Sequence, residues 1–291
     1  MSVEILPGFA PLAVRYDAAI LDLWGTVHDG IEPLPGVLAC LDHMKKAGMA
    51  VAMLSNAPFR AGRVVEVLDR IGVPQELYGF VMSSGEEAWQ ALATRREPWY
   101  RALGRRCLFV GSPHHASMTD NPGFDTVDAI ADADFILCTG PRDAADTLED
   151  YRALLTEAAA RSLRMVCANP DRAGMRGAVR EICAGAIAEC YEAQFGGNVR
   201  WHGKPDHSVF ETVIAQLGEP ARSRIVMVGD TLHTDIEGAI GAGLDSIFIT
   251  HGIHAPALDA LPGVAPEADR LAALYAALGV APTHVMTGLR W

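Results

Sequence analysis

Four ionisable side chains suited to phosphoryl-group chemistry stand at or close to the ends of apolar runs. Asp22 closes one such run and is followed by a Gly-Thr turn, with Trp24 where a second acid would be expected. Lys204 lies in a Gly-Lys-Pro segment, and Asp230 closes another apolar run five residues before Asp235. Carboxylates and a lysine at such positions indicate a phosphoryl-transfer site, because the lysine offsets charge that would otherwise repel an anionic substrate.

Short apolar runs alternate with segments of helical period along the chain. Continuous apolar strands between amphipathic helices predict an α/β fold with a parallel sheet covered on both sides. In such a sheet, ligands bind beyond the carboxyl ends of the strands, so polar residues at those ends can converge. The predicted strands are 18–23, 50–54, 80–82, 225–228 and 247–250, and the helical faces are centred on 37–44, 64–71 and 209–217.

The middle of the chain repeats this pattern without an acid at each strand end, which predicts an inserted α/β domain over residues 84–198. The turn formers Ser83-Ser84-Gly85 and Gly196-Gly197-Asn198 flank it, leaving 1–83 and 199–291 as the core domain. Residues beyond about 281 carry no recognisable pattern. Within the insertion we predict strands at 107–110, 135–138 and 165–168 and helices at 148–160 and 178–195.

Charge and composition narrow the class of protein. The formal net charge of -12 over 291 residues disfavours binding to nucleic acid, and no run of basic residues opposes this. The first residues do not combine a basic start with an apolar segment, and the sequence contains no long uninterrupted apolar stretch. We therefore expect no membrane partner and a cytoplasmic location. The six cysteines form no Cys-x-x-Cys pair, and we expect them to be reduced.

The order of the motifs resembles the haloacid dehalogenase superfamily. Singly, each motif is also typical of ordinary turns and helix caps, but their order makes the prediction specific. The large insertion and its Ala168-Asn169-Pro170-Asp171 segment resemble subclass IIA, which includes sugar-phosphate, p-nitrophenylphosphate and pyridoxal-phosphate phosphatases. The resemblance implies a Rossmann-like parallel-sheet core with an inserted α/β cap domain. The motifs are Asp22-x-x-Gly25-Thr26, Ser55-Asn56, Lys204-Pro205 and Gly229-Asp230-x-x-x-x-Asp235.

The resemblance also implies roles for individual residues. Asp22 would be the nucleophile that forms an aspartyl-phosphate, and Lys204 would neutralise charge between it and the phosphoryl group. Mg²⁺ would be the cofactor, held by Asp22, Asp230, Asp235 and the main-chain carbonyl of Trp24. The substrate would be a small phosphorylated metabolite, and the cap could support a homodimer. The residues expected to bind phosphate or substrate are Ser55, Asn56, Asn169, Asp171 and Arg172.

Trp24 departs from the family pattern, which places at this position an Asp that protonates the leaving group and activates water. Three hypotheses follow. The first is a phosphatase or phosphotransferase that favours good leaving groups or uses His28 or Asp29 as the acid. The second is a catalytically weak or silent protein that binds a phosphometabolite. The third is a dehalogenase-like hydrolase, against which the retained Asp230 and Asp235 argue, because a neutral carbon electrophile needs no Mg²⁺.

Overall fold

A computed structural model describes residues 5–176, 179–261 and 263–291. Its strands are β1 (Ile5–Leu6), β2 (Ala18–Leu21), β3 (Ala50–Ser55), β4 (Phe80–Ser83), β5 (Arg106–Val110), β6 (Asp125–Val127), β7 (Phe135–Cys138), β8 (Arg164–Cys167), β9 (Ala173–Arg176), β10 (Val179–Ile182), β11 (Asn198–Trp201), β12 (Ile225–Gly229), β13 (Asp245–Ile249) and β14 (His284–Met286). Its α-helices are α1 (Val37–Lys46), α2 (Ala61–Arg70), α3 (Ser84–Thr94), α4 (Pro98–Arg101), α5 (Leu148–Ala160), α6 (Ala184–Phe195), α7 (His207–Gln216), α8 (Glu237–Gly241), α9 (Ala255–Leu258) and α10 (Ala268–Leu278).

The chain divides into two compact units. The first unit takes the residues up to Ser55 together with Val65–Met82 and Lys204–Trp291. The second unit takes Asn56–Val64 and Ser83–Gly203, and it contains the stretch 84–198 that the sequence assigns to an insertion. Each unit has its own sheet and its own apolar core.

The first unit is built on a seven-stranded sheet with the order β1-β14-β13-β12-β2-β3-β4. The pairings of β12 with β2 and β13, and of β2 with β3, are parallel. All four residues of β2 and all five of β12 are buried, as expected for strands covered on both faces. The α/β fold class and the parallel core sheet predicted from the sequence are confirmed.

The second unit contains a five-stranded sheet with the order β11-β8-β7-β5-β6, in which every pairing is parallel. Helices α5 and α6 cover one side through a cluster that includes Tyr151, Leu155, Ile187 and Tyr191. A separate antiparallel pair is formed by β9 and β10. This unit is therefore also α/β.

The prediction of a helix over 178–195 is wrong at its start. Helix α6 begins at Ala184, whereas Val179–Ile182 forms strand β10; residue 178 lies outside the described residues. The backbone of Val179–Ile182 is paired with Ala173–Arg176, with Ile182 opposite Ala173. Pairing with a strand that lies earlier in the chain decides the structure of this segment. The helical period of a local sequence does not report pairing between separate segments.

Two further segments differ from the sequence-based interpretation. The residues after 281, which carried no pattern, include strand β14, and Val285 and Met286 in it are fully buried. Ser83 is not in a turn: β4 runs directly into α3, and the Ser83 side chain accepts a hydrogen bond from the Glu86 backbone N–H as the N-cap of that helix. A three-residue strand and a serine cap are too short to leave a periodic signal.

Two chain-wide features concern the length of the helices and the state of the cysteines. Within the described ranges, none of the helices combines the length and the apolar character needed to cross a bilayer. All six cysteines are free thiols, and burial raises the pKa of Cys40 and of Cys138 to about 12. At neutral pH these two thiols are therefore protonated.

Candidate active site

Asp22 and Asp230 each follow the last residue of a central strand. Strands β2 and β12 are neighbours with Leu21 opposite Val228, and the Asp22 backbone N–H donates to the Val228 carbonyl at 2.9 Å. The two carboxylates consequently leave the sheet side by side at its carboxyl edge. Ser55 is the last residue of β3, the neighbour of β2 on the other side.

Asp22, Asp230 and Asp235 form a buried carboxylate cluster. One oxygen from each lies within 4.8 Å of the others, and the residues are 9%, 3% and 0% exposed. Asp235 comes from a single π-helical turn, Leu232–Ile236, and accepts a hydrogen bond from the Thr231 backbone N–H at 3.0 Å. The site thus combines two strand ends and the turn that follows one of them.

Lys204 is fixed among these carboxylates. Its Nζ donates to Asp22 Oδ1 at 2.5 Å and to the Leu54 carbonyl at 3.0 Å, and it lies 2.7 Å from Asp235 Oδ1. The side chain is 2% exposed. Burial by itself lowers the pKa of Lys204, but the charges of Asp22 and Asp235 outweigh it and hold that pKa above its ordinary value. The ammonium group is therefore charged at neutral pH.

One ammonium group does not balance three carboxylates. Burial, reinforced by the neighbouring Asp22 carboxylate, raises the pKa of Asp230; burial also raises the pKa of Asp235. Asp22 Oδ2 is buried and accepts no hydrogen bond from the described residues. Oxygen ligands, excess negative charge and an unused buried oxygen fit a hard divalent cation.

Two glycines allow the backbone to pack directly on Asp230. A Cβ on Gly252 would lie 1.9 Å from Asp230 Oδ2, and a Cβ on Gly25, whose φ is +81°, would lie 2.3 Å from the same atom. The next N–H in the first of these loops, that of Ile253, donates to Asp230 Oδ2 at 2.6 Å. These contacts fix the carboxylate and leave no space for another side chain.

The turn after Asp22 holds Trp24 and both candidates for the missing acid. Asp29 Oδ1 accepts hydrogen bonds from the backbone N–H groups of Ile31 and Glu32, so this carboxylate stabilises the turn. His28 is buried, and its Nδ1 accepts the Gly30 backbone N–H at 2.9 Å, which leaves the proton of a neutral ring on Nε2. Burial lowers the pKa of His28. Trp24 is 54% exposed.

A second group of predicted residues comes together within the second unit. Asn56 Nδ2 donates to Asp171 Oδ1 at 2.9 Å, and the Asp171 backbone N–H donates to Asn169 Oδ1 at 2.9 Å. Arg172 is not part of this group; it forms a bidentate ion pair with Glu189, with both bonds at 2.7 Å. The proposed contact of Arg172 with substrate stays a prediction.

Sequence reasoning missed the backbone groups that complete the site. Neither the Leu54 carbonyl on Lys204 nor the Ile253 N–H on Asp230 has a side-chain signature. One sequence signal could have indicated the loop that contacts Asp230. Gly252, in the Thr250-His251-Gly252 segment, follows the carboxyl end of β13, which is a neighbour of β12 in the sheet.

Comparison with known protein families agrees with this geometry. A family model described as haloacid dehalogenase-like hydrolase matches residues 16–243, and a second, HAD-hydrolase-like model matches residues 201–286. The first match covers most of the chain, so the chain belongs to the haloacid dehalogenase-like hydrolase family. By class it is a HAD-type hydrolase, and the resemblance drawn from the motifs is confirmed.

Individual relatives extend the comparison. The D-glycerol 3-phosphate phosphatase of Mycobacterium tuberculosis is 28% identical over 250 residues, which are 84% of this chain and 65% of that protein. A haloacid dehalogenase-like hydrolase structure from Brucella suis is 30% identical with a TM-score of 0.79, covering 97% of this chain and 98% of that one. A glycerol phosphate phosphatase from M. tuberculosis, solved with calcium, is 25% identical with a TM-score of 0.65, covering 88% and 73%. The whole-chain likeness includes the inserted residues and supports placement in subclass IIA.

Proposed function

We propose that the protein is a divalent-metal-dependent phosphatase that hydrolyses a small organic phosphate through an aspartyl-phosphate at Asp22. The observation that carries the proposal is the convergence of Asp22, Lys204, Asp230 and Asp235 at one sheet edge, although they are up to 213 positions apart in the chain. Phosphatases among the relatives support the same reaction class. A cytoplasmic setting remains a prediction from the sequence.

In the first step, a carboxylate oxygen of Asp22 attacks phosphorus. An oxygen–phosphorus bond forms at Asp22 while the bond to the leaving oxygen breaks, and the electron pair departs with that oxygen. The Lys204 ammonium, 2.5 Å from Asp22 Oδ1, reduces the repulsion between the carboxylate and the anionic phosphoryl group. Its contacts with Asp235 and the Leu54 carbonyl hold it in place during this step.

In the second step, a water oxygen attacks phosphorus and the bond to Asp22 breaks. Orthophosphate leaves, the Asp22 carboxylate is restored, and a water proton passes to solvent or to the departed group. When bound, a divalent cation supplies charge neutralisation at the phosphoryl oxygens, and Asp22, Asp230, Asp235 and the Trp24 carbonyl would hold it. We propose Mg²⁺ as that cation; a related phosphatase was solved in complex with calcium, which supports a divalent ion.

Trp24 limits which esters can react. Indole carries no exchangeable acid of useful strength, so the usual proton donor two residues after the nucleophile is missing. Asp29 is committed to the turn by two backbone hydrogen bonds, which leaves His28 as the candidate donor in this segment. Without a positioned acid, proton-assisted departure loses about 10²- to 10⁴-fold in rate. The enzyme should therefore favour leaving groups that depart as stable anions.

The test is phosphate release from alkyl, aryl and acyl phosphates with Mg²⁺, comparing the native chain with Asp22→Asn. We expect release from aryl and acyl phosphates that is lost in Asp22→Asn, and a radiolabelled phospho-enzyme that forms only when Asp22 is present. Release that persists in Asp22→Asn would refute Asp22 as the nucleophile. Exposed Asp128 offers a control, since Asp128→Asn should leave release unchanged.

A second candidate function is a phosphometabolite-binding protein without turnover. The observation that favours it is again Trp24, since the cation and phosphate groups of the site do not depend on the acid it replaces. This function predicts stabilisation by inorganic phosphate and Mg²⁺ with no release from any ester in the panel. Release from aryl phosphates by the native chain would exclude it.

A further inference from the structure

The Trp24 indole has one covered side and one open side. A Cβ on Gly30, whose φ is +91°, would lie 2.3 Å from Trp24 Cζ3 and 2.4 Å from Cη2, so the ring rests directly on the Gly30 backbone. The His28 ring meets it edge-on, with centroids 5.8 Å apart and planes at 79°. Trp24 as a residue nevertheless remains 54% exposed. The ring thus contacts the Gly30 backbone and the His28 ring, and its remaining surface is available for contact.

The residue that carries this indole belongs to the turn that follows Asp22 and contacts Asp230. Trp24 is two residues from Asp22, and the following Gly25 packs against the Asp230 carboxylate. The Gly25 N–H donates to the His28 carbonyl at 2.9 Å, which closes the turn and holds the Trp24 backbone. On the other loop that contacts Asp230, Ile253 is 67% exposed. Two exposed apolar side chains therefore come from the two loops that contact Asp230.

The chemistry of the site selects a leaving group that such an apolar rim can bind. A phenol, such as the tyrosine side chain, has a pKa of about 10, whereas the pKa of an aliphatic alcohol is much higher and close to that of water. Of these two oxygens, the aryl oxygen alone departs readily without a proton donor at the position of Trp24. Aromatic rings also gain about 0.5–1.5 kcal/mol from offset or edge contacts beyond their burial. Leaving-group stability and ring stacking thus select the same kind of substrate.

We propose that Trp24 forms a subsite for a planar aromatic leaving group, and that the natural substrate is an aryl or heteroaryl monophosphate. The proposal rests on the proposed function for the identity of the reaction, but the binding preference it predicts does not require turnover. Trp24 then contributes to substrate selection and not to acid catalysis. It cannot donate a proton, but its indole binds those esters that react without a proton donor.

Phosphonates test the subsite without hydrolysis, because their carbon–phosphorus bond is not cleaved by this chemistry. Calorimetry in Mg²⁺ would compare phenylphosphonate with methylphosphonate, and the ratio of the two dissociation constants cancels any change common to both ligands. We expect the native chain to prefer phenylphosphonate by about 3- to 10-fold. The ratio should fall to about 1 in Trp24→Leu and be largely kept in Trp24→Phe.

Val14 supplies a matched control. It is 85% exposed and precedes β2, whereas Asp22 follows that strand, so Val14→Ala removes exposed apolar surface at the opposite edge of the sheet. The ratio should be native in this variant. An unchanged ratio in Trp24→Leu, or failure of the native chain to bind either phosphonate, would overturn the subsite.

The outcomes separate the subsite from the reaction. A native chain with the predicted ratio that releases no phosphate from any ester would refute hydrolysis and keep the subsite. If the native chain hydrolyses aryl phosphates but the ratio of the two dissociation constants is the same in Trp24→Leu, the subsite is refuted and hydrolysis is kept.

Discussion

At the scale of single residues, the carboxylates that we propose to bind a metal ion also lower the stability of the metal-free protein. Asp22, Asp230 and Asp235 are buried together with one lysine, and the pKa values of Asp230 and Asp235 are raised because ionising them costs free energy when no cation is present. Such a site is assembled for a ligand and weakens the chain that lacks it.

Asp230→Asn should therefore stabilise the metal-free protein, by about 1 kcal/mol or more, because it removes a buried like charge. A raised carboxyl pKa makes the folded state bind protons more tightly, so metal-free stability should fall as pH rises above the ordinary value of about 4, and less so in the variant. We expect Mg²⁺ to raise the Tm of the native chain, and the variant should lose this increase. Calorimetry with and without chelator measures both, and Asp128→Asn is the control; a metal-free variant less stable than native would contradict the argument.

Trp24→Asp should restore the missing acid. With a carboxylic acid two residues after the nucleophile, hydrolysis of alkyl phosphates should rise by about 10²-fold or more, while the preference for aryl over alkyl esters shrinks. The measurement is kcat/KM for a series of esters of rising leaving-group pKa, whose slope should flatten. A slope that stays native would show that another group, with His28 the candidate, already supplies the proton.

At the scale of elements, the site depends on how closely loops approach strand ends. The loop after β13 contacts Asp230 through Gly252 and Ile253, and the turn after β2 contacts it through Gly25. Apart from Asp22, which opens the turn after β2, neither loop contributes a carboxylate to the cluster of Asp22, Asp230 and Asp235 among the described residues. Their contribution is to hold the Asp230 carboxylate where the cluster needs it.

Gly252→Ala should displace the Asp230 carboxylate, because its Cβ would fall 1.9 Å from Oδ2. Loss of this support should weaken Mg²⁺ binding by about 10- to 100-fold. Gly241→Ala is the matched control: a Cβ added there would meet no atom within 4 Å beyond its chain neighbours and its own helix backbone, and the stability of this variant should stay within about 0.5 kcal/mol of native. Titration with Mg²⁺, followed through the Tm, compares the Mg²⁺ affinities of the two variants. Equal affinities would show that the loop can move away from Asp230 without weakening Mg²⁺ binding.

An ion pair that is partly buried supports the start of α3 in the second unit. Glu86 Oε2 accepts from Arg60 Nε at 2.6 Å and from the Ala61 backbone N–H at 3.1 Å, and Gln90 Nε2 donates to Oε1 at 3.0 Å. Burial raises the pKa of Glu86, but the bonds from Arg60 and Gln90 outweigh it and hold that pKa below its ordinary value. The charged form is thus favoured in the folded state.

Glu86→Gln should cost about 2 kcal/mol of unfolding free energy at pH 7. Because the folded pKa is depressed, this stabilisation is present above the unfolded value of about 4.3 and is lost as pH falls through the folded value. Urea denaturation at pH 7 and near pH 3 should show the gap between native and variant narrowing. Glu149→Gln, an exposed acid in the first turn of α5, should change stability little at either pH. If the difference in unfolding free energy between native protein and variant stays constant with pH, the loss of stability comes from packing and not from the charge of Glu86.

At the scale of the whole molecule, residues from the two extremes of the described chain complete the first sheet. Strand β14 lies between β1 and β13, and the Thr250 N–H donates to the Met286 carbonyl at 3.0 Å. The last strand in the chain thus supports β13, whose following loop fixes Asp230. A homodimer formed through the inserted residues stays a prediction, for sedimentation to test.

Met286→Ala should lower the unfolding free energy by about 2–5 kcal/mol, since this side chain is fully buried in the sheet of the first unit. Val264→Ala, at a position 53% exposed, should stay within about 0.5 kcal/mol of native. Denaturant midpoints measure both. Equal, small effects would mean that the final strand contributes little to this unit.

The sequence by itself determined the α/β class and the family, and it predicted the residues that we propose to react. Asp22 and Asp230 were readable because a buried strand is a continuous apolar run, and a carboxylate at its end is conspicuous. Helix α5 was predicted at its observed bounds, 148–160, from local period. Each of these signals lies within a few consecutive residues.

The tertiary structure alone decided features that join distant segments. Pairing of β10 with β9 replaced the start of a predicted helix, and β14 entered a sheet from a segment with no pattern. The contact of Lys204 with Asp22 spans 182 positions, and Arg172 found Glu189 as its partner. Such contacts depend on how strands order and how backbones approach, and local period carries no record of either. The open surface of Trp24 over Gly30 is of the same kind, and only the folded chain shows it.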